Sequence, residues 1–360
     1  MKSILFVSAF PLNSKTAGQN YSLRLVNDLQ KKFRVDVLNF SYKDHKSVHG
    51  SKELSLSGFR KFLHAIIIPF LHPFFTCRFS IRLFIFIIRK QKNYDFIYID
   101  FSQLLIFTKL FNKNDNVYVM LHDVIVQKYK RKRSLWSSCE LRWIFFTERY
   151  LLGQNEHLFV FSRKDQRILS TIYKKESKVV DFFIDQRILS SDIPAKPESF
   201  CFYGAWNRNE NWEGLSWFIR NVLPFTEEHF QIIGSGLSDD KIRQLDRLSQ
   251  FQIVGFVDNP YPYISSSYAL IAPVFHGAGV KVKVLESLCC GIPVIGTRIA
   301  FEGIDKSLLF SAFISNGRED YLANFARAKK INDEERKFRR KINSSLYPKH
   351  KFIDCLTGDQ

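Results

Sequence analysis

The densest chemistry in the chain lies between residues 273 and 304, PVFHGAGVKVKVLESLCCGIPVIGTRIAFEGI. Residues 275–279 read as a turn, 280–290 as a helix ended by Gly291, and 293–296 as a buried parallel strand. A helix leaves its first N–H groups unpaired and partly positive, so a helix opening on glycines is suited to receive an anion. Gly277 and Gly279 have no Cβ and let a phosphate approach the backbone closely. Gly279, Lys283 and Glu286 are spaced i, i+4, i+7 and share one helix face. The glycine end and Lys283 suit a diphosphate; Glu286, one turn on, suits the hydroxyls of a ribose. Spacing alone fits an amphipathic helix with an exposed Lys283–Glu286 pair equally well.

Such a site needs a scaffold. A chain of 360 residues suits two domains, and an apolar fraction of 46% can fill two cores. Strands are expected at 4–8, 35–40, 95–100, 117–121 and 157–162, with a helix at 20–32. A second series follows at 200–203, 230–233, 253–257, 269–272 and 293–296, and the basic tail from 319 to 346 reads as helical. The β-loop-α-β opening predicts an α/β, doubly wound sheet, whose ligands sit beyond the carboxyl ends of the strands. His122 falls at such a strand end, followed by Asp123; Lys15 and Gly18 occupy the first loop. The six cysteines are scattered without CxxC or metal-ligand spacing, which fits reduced thiols and neither a disulfide framework nor a structural zinc. The opening apolar run breaks at Pro11 and is too short for a signal peptide. DQRILS recurs at 165–170 and 185–190, too short to define a repeat architecture.

The 273–304 stretch resembles the donor-binding signature of retaining, GT-B-fold glycosyltransferases of the group 1, GT4-like family. Gly277, Ala278, Gly279, Lys281, Lys283, Glu286, Gly291, Pro293, Val294, Thr297, Glu302 and Gly303 carry the match. Weaker likeness extends through FYGAWNRNENWEGLSWFIRNVLP from Phe200, LHDV at His122, and Glu148-Arg149-Tyr150 with Ser162 and Asp165, the last group assigned to domain integrity. The resemblance implies a GT-B fold: two Rossmann-like domains with a deep interdomain cleft. Residues 1–190 would form the acceptor-binding domain, with 340–360 crossing back to it, and 191–339 the donor-binding domain; 186–199 reads as the linker. It implies catalytic roles for His122, Lys283 and Glu286. Donor contacts fall to Gly204, Asn207, Arg208, Gly255, Phe256, His276, Gly277, Ala278, Gly279, Val280, Lys281, Lys283 and Glu286, with Lys15, Gly18 and Asp123 facing the acceptor. Three positions depart from the pattern. Ala278 stands where many relatives carry a second glutamate, Ala205 where an arginine follows the glycine, and Glu210 or Asn211 where a lysine is usual.

The expected reaction moves a sugar from a nucleotide-sugar to a saccharide or lipid-linked saccharide in bacterial surface polysaccharide biosynthesis, with retention, no metal and no cofactor. Alternatives are a catalytically silent nucleotide-binding subunit of a membrane assembly and a nucleotide-sugar epimerase. A net charge of +18 calls for an anionic partner. No nucleic-acid-binding module is legible, so the anionic inner face of the cytoplasmic membrane is the expected surface and the protein is expected to be cytoplasmic and peripheral. Residues 58–90, GFRKFLHAIIIPFLHPFFTCRFSIRLFIFIIRK, are too interrupted to span a bilayer but suit either partial contact with one or burial against the sheet.

Overall fold

The computed structural model describes residues 1–13, 16–41, 52–55, 70–111, 116–130, 137–153, 157–180, 182, 184–190, 197–347 and 353. Lys15, residues 58–69 and residues 191–196 of the expected linker lie outside these. The chain divides into two bodies, Met1–Asp181 with His350–Gln360, and Phe182–Lys349.

The first body is a parallel sheet of β1 (Ser3–Ser8), β2 (Arg34–Ser41), β3 (Lys52–Ser55), β4 (Phe96–Asp100), β5 (Val117–Leu121), β6 (His157–Val160) and β7 (Lys178–Val179). Their spatial order is β3-β2-β1-β4-β5-β6-β7. Ile4 is in register with Val35 on one side and Phe96 on the other, and Ile97 with Val117. Every residue of β1 and β4 is buried, as expected of parallel strands covered on both faces. The Ala17–Leu29 helix returns the chain from β1 to β2; Thr16 caps it by accepting from the Gln19 N–H.

The second body repeats the plan with β8 (Ser199–Tyr203), β9 (Phe230–Ile233), β10 (Phe251–Gly255), β11 (Ser267–Ala272), β12 (Val294–Gly296) and β13 (Ala312–Ile314), ordered β10-β9-β8-β11-β12-β13. In each sheet the order reverses next to the first strand, between β1 and β4 and between β8 and β11. Ligands of doubly wound sheets bind at such switch points.

Several expectations shift. The first body ends at Asp181 rather than near 190, because Phe182, Ile184 and Ile188 are buried and Arg187 donates to the Asp258 carbonyl at 2.8 Å, a contact within the second body. The tail is two helices, Arg318–Lys329 and Asp333–Ser345. The Asn332 side chain starts the second by accepting from the Glu335 N–H at 2.9 Å. After Lys349 only Ile353 is described; it is buried and groups with the first body. The segment 70–90 turns one side into the core and leaves the other exposed. Phe75, Leu83 and Ile87 are buried, while Phe74, Phe79, Phe84 and Phe86 pack against them. Arg78, an interrupting charge in the sequence, is buried with its Nε donating to the Ala9 carbonyl at 2.7 Å and its guanidinium 4.2 Å over the Phe10 ring. Ile81, Ile85 and Ile88 stay exposed. Among the described residues no helix is long and apolar enough to cross a membrane.

Candidate functional site

In the second body the expected donor residues lie on loops leaving the carboxyl ends of the strands. β11 ends at Ala272, and residues 273–281 lead to the Val282–Cys289 helix, whose N-cap is Lys281. The helix starts two residues later than the sequence suggests. Gly277 (φ +114°) and Gly279 (φ +70°) both adopt left-handed backbone, so the turn needs glycine for its conformation as well as for access. The base of this loop is fixed by close packing. A Cβ on Gly214 would lie 2.1 Å from the Pro273 carbonyl oxygen, and the Trp217 and Phe275 rings meet at 5.2 Å. Gly291 ends the helix at φ +88° and abuts the Asp333–Ser345 helix, where a Cβ would lie 2.4 Å from the Arg336 carbonyl oxygen.

The loops after β8, β9 and β10 are tied into one surface. Gly204 N–H donates to the Ile233 carbonyl at 3.1 Å, Trp206 N–H to the Ser235 carbonyl at 2.7 Å, and Gly234 N–H to the Gly255 carbonyl at 2.7 Å. Lys241 Nζ donates to the Trp206 carbonyl at 2.8 Å. Gly236 sits so close to Asn207 that a Cβ would lie 2.8 Å from its backbone nitrogen. Phe256 follows the left-handed Gly255 and is 65% exposed at the end of β10.

The cations converge here. Lys283 Nζ donates to Asn211 Oδ1 at 2.9 Å, and Asn211 Nδ2 donates to the Ala205 carbonyl at 2.8 Å. Two of the departures from the family pattern, Ala205 and Asn211, thus form a bracket that holds Lys283. Burial first, then the charges of Arg208 and Lys281, pulls the Lys283 ammonium from its ordinary 10.5 down to about 8. Lys281 Nζ folds back onto the Gly279 carbonyl at 2.8 Å. Three basic side chains are crowded at a glycine turn and a helix start, which is the electrostatic signature of an anion site. His276, at the start of the turn, has its Nε2 3.2 Å from Glu213 Oε1 at the surface.

Glu286 is buried, and its Oε1 accepts from the Tyr261 hydroxyl at 3.0 Å. The Arg187 guanidinium lies 5.7 Å from the Tyr261 ring centre and close enough to Glu286 for its own pKa to be raised by that carboxylate, after the larger effect of Asp185. The exposed Lys283–Glu286 pair that spacing allowed is excluded: Glu286 points into a pocket of partners and Lys283 turns to Asn211. Sequence reasoning missed Tyr261 and Arg187, which are 25 and 99 positions from Glu286 and adjoin it only through the fold.

The first body gathers His122, Gly18 and Asp123 near the carboxyl ends of β1, β4 and β5. His122 Nε2 lies 2.8 Å from Asp100 Oδ1. The fully buried Asp100 also accepts at Oδ2 from Ser8 Oγ at 2.9 Å and Ser22 Oγ at 2.6 Å. This bond fixes the proton of a neutral His122 ring on Nε2 and leaves the Nδ1 lone pair on the side of Gly18, where a Cβ would lie 3.3 Å away. The ring is clamped by Phe101, stacked at 3.6 Å, with Phe161 and Tyr21 edge-on at 5.0 and 5.9 Å. Phe101 holds left-handed backbone at φ +77°, a strain retained where surrounding packing over-determines it. Asp123 contributes its carbonyl, accepting from Ser102 Oγ at 2.9 Å. Asp100 was missed, although an acid ending the apolar run FIYID at a strand's carboxyl end is a legible signal.

Two doubly wound parallel bodies, each carrying its polar cluster at the carboxyl ends of its strands, are the GT-B arrangement of glycosyltransferases. The fold is similar over nearly its whole length to that of sucrose-phosphate synthase from Thermosynechococcus elongatus (TM-score 0.66, 16% identity, 96% of this chain and 95% of that one). It is similarly close to Anabaena HepE in complex with UDP (0.66, 13%, 96% of each chain) and to WaaG, a glycosyltransferase involved in lipopolysaccharide biosynthesis (0.66, 12%, 97% and 96%). Residues 197–326 match the family described as group 1 glycosyl transferases, so the second body carries a domain of that family. A comparison with curated protein sequences finds no match.

Proposed function

We propose that the protein transfers a sugar from a nucleotide-sugar to a saccharide or lipid-linked saccharide acceptor of a surface polysaccharide, with retention of configuration and without a metal ion. The observation that carries this reading is the crowding of Arg208, Lys281 and Lys283 at the glycine turn, with Glu286 one turn further along the same helix. A diphosphate bound there relieves the repulsion among the cations, and its charge grows as the sugar leaves. Lysine and the helix start then stabilise the leaving group more than the ground state, which is the requirement for catalysis. Glu286, oriented by Tyr261, accepts from the ribose hydroxyls. His122, with Nδ1 as its acceptor atom, orients a sugar hydroxyl. Structural neighbours solved with UDP and UDP-glucose make UDP-sugars the first donors to try. The same reading places the protein at the cytoplasmic face of an anionic membrane, where a lipid-linked acceptor would lie.

Phosphorus NMR of nucleotide-sugar incubated with the protein and a lipid-linked saccharide fraction tests the reaction. Acceptor-dependent release of nucleoside diphosphate that persists in EDTA is expected. Release abolished by EDTA would overturn the metal-free reading, and donor isomerised without release would make the protein an epimerase.

A further inference from the structure

The Ser137–Leu152 helix of the first body turns an unusual face to solvent. Ile144, Thr147, Glu148, Leu151 and Leu152 point inward and are buried. Outward, Trp143, Phe146 and Tyr150 follow the i, i+3, i+7 spacing of one helix face and are 38%, 62% and 59% exposed. Phe70, 88% exposed, extends the face, since Trp143 Nε1 donates to its carbonyl at 3.1 Å. A water-facing helix surface carries mixed polar and charged side chains, and one built of large aromatics marks an interaction site.

Charge decides the partner. The exposed ionic side chains of this helix are Arg142 and Arg149; Glu148 is buried, and Glu140 is half-buried with a carboxylate oxygen 3.9 Å from His72 Nε2. At the C-terminal end Lys109 Nζ sits 4.2 Å from the Tyr150 ring centre and Lys175 Nζ donates to the Gly153 carbonyl at 2.9 Å. Burial, and then Lys175, lowers the Lys109 pKa, so two cations crowd beside the aromatic face. Phe70 itself belongs to residues 54–94, which hold seven Lys and Arg and no Asp or Glu. Aromatic side chains bordered by arginines match the headgroup layer of an anionic bilayer: the rings enter the interface and the guanidinium groups pair with phosphates.

We infer that Phe70, Trp143, Phe146 and Tyr150, flanked by Arg142 and Arg149, form the face by which this protein docks on an anionic phospholipid membrane. The inference rests on the reading above in placing a membrane at the first body, and it is independent of the transfer chemistry. Apart from Phe70, its residues lie outside the 58–90 segment that composition singles out.

Vesicle sedimentation tests it, with phosphatidylcholine alone against phosphatidylcholine holding about one third phosphatidylglycerol at physiological ionic strength. The wild type is expected to sediment with the anionic vesicles. Phe146→Ser/Tyr150→Ser is expected to lower that binding about tenfold. Arg142→Gln/Arg149→Gln is expected to lower it by a similar factor and to remove the preference for phosphatidylglycerol. Both pairs are surface changes, so the melting temperature and the donor-induced shift read in the second body should stay at wild-type values; this separates failure of the docking face from failure of the glycosyltransferase reading. Wild type that ignores anionic vesicles, or variants that bind as wild type does, would overturn the inference. Light scattering that shows a dimer dissolved by Phe146→Ser/Tyr150→Ser, without vesicle binding, would assign the face to a second copy instead.

Discussion

Burial of Lys283 carries a cost in the folded chain, which the proposed diphosphate would offset. Its folded-state pKa of about 8 lies below the ordinary 10.5, so folding is penalised below about 8, where the buried ammonium is charged, and the penalty fades as pH rises from there toward 10.5. Lys283→Met is expected to raise stability at pH 7 by about 1–3 kcal/mol while abolishing donor binding, measured by urea unfolding and calorimetry. Wild-type donor affinity is expected to be flat below pH 8 and to weaken up to about tenfold per pH unit above it, because only the ammonium pairs with the diphosphate. An affinity unchanged to pH 9.5 would show that Lys283 does not meet the ligand. In the other body, Asp100→Asn removes the carboxylate that fixes the His122 ring. Turnover is expected to fall about 10- to 100-fold with little change in the donor KM, and combining it with His122→Ala is expected to cost no more than His122→Ala alone. Much of this scale was readable in advance. Gly277, Gly279, Lys283, Glu286 and His122 announce themselves by type and spacing. Tyr261, Ser8 and Ser22 do not, because a hydroxyl finds its partner across the fold and leaves no local period. Asn211 stood in the sequence as a missing cation, and only its two hydrogen bonds explain it as a bracket.

At the scale of elements, a buried carboxylate ties the Ile125–Lys130 helix to its neighbours. Glu148 accepts from the Ile125 N–H at 2.8 Å, the Val126 N–H at 3.1 Å and the Tyr173 hydroxyl at 2.6 Å, directly after the His122–Asp123 loop. Burial outweighs these donors and raises its pKa from 4.5 to about 7. The folded state therefore holds a proton that the unfolded chain releases, and stability should fall as pH rises from about 4.5 to about 7, by about 1–3 kcal/mol in total. Glu148→Gln should flatten that slope while losing some stability at every pH, since an amide supplies one acceptor where the carboxylate supplies two. Unfolding by urea across this range decides it, and an undiminished slope in the variant would place the titration elsewhere. Strands such as β1 and β4 were legible as apolar runs buried on both faces. The four residues of β3, the two of β7 and the three of β13 were not, being shorter than any pattern of periodicity. Composition could not divide the 70–90 segment, because it does not tell apolar residues that join a core from those left at the surface: Phe75, Leu83 and Ile87 join the core, while Ile81, Ile85 and Ile88 stay exposed.

At the scale of the molecule, two bodies repeat one plan. Group 1 likeness is confined to 197–326, so the second body can be matched to a family while the first is recognised by fold alone. On the proposed reading, a diphosphate and a ribose meet Gly279, Lys283 and Glu286 in the second body, where the family match lies. The central claim is therefore best tested on the donor. Thermal shift of wild type and Glu286→Ala with UDP-, GDP-, ADP-, CMP- and dTDP-sugars reads ligand binding through mass action on the folded state. A shift is expected with one nucleotide, UDP first, that is lost or strongly reduced in Glu286→Ala relative to its own unliganded melting point. A shift of equal size in both proteins, or none with any donor, would contradict it.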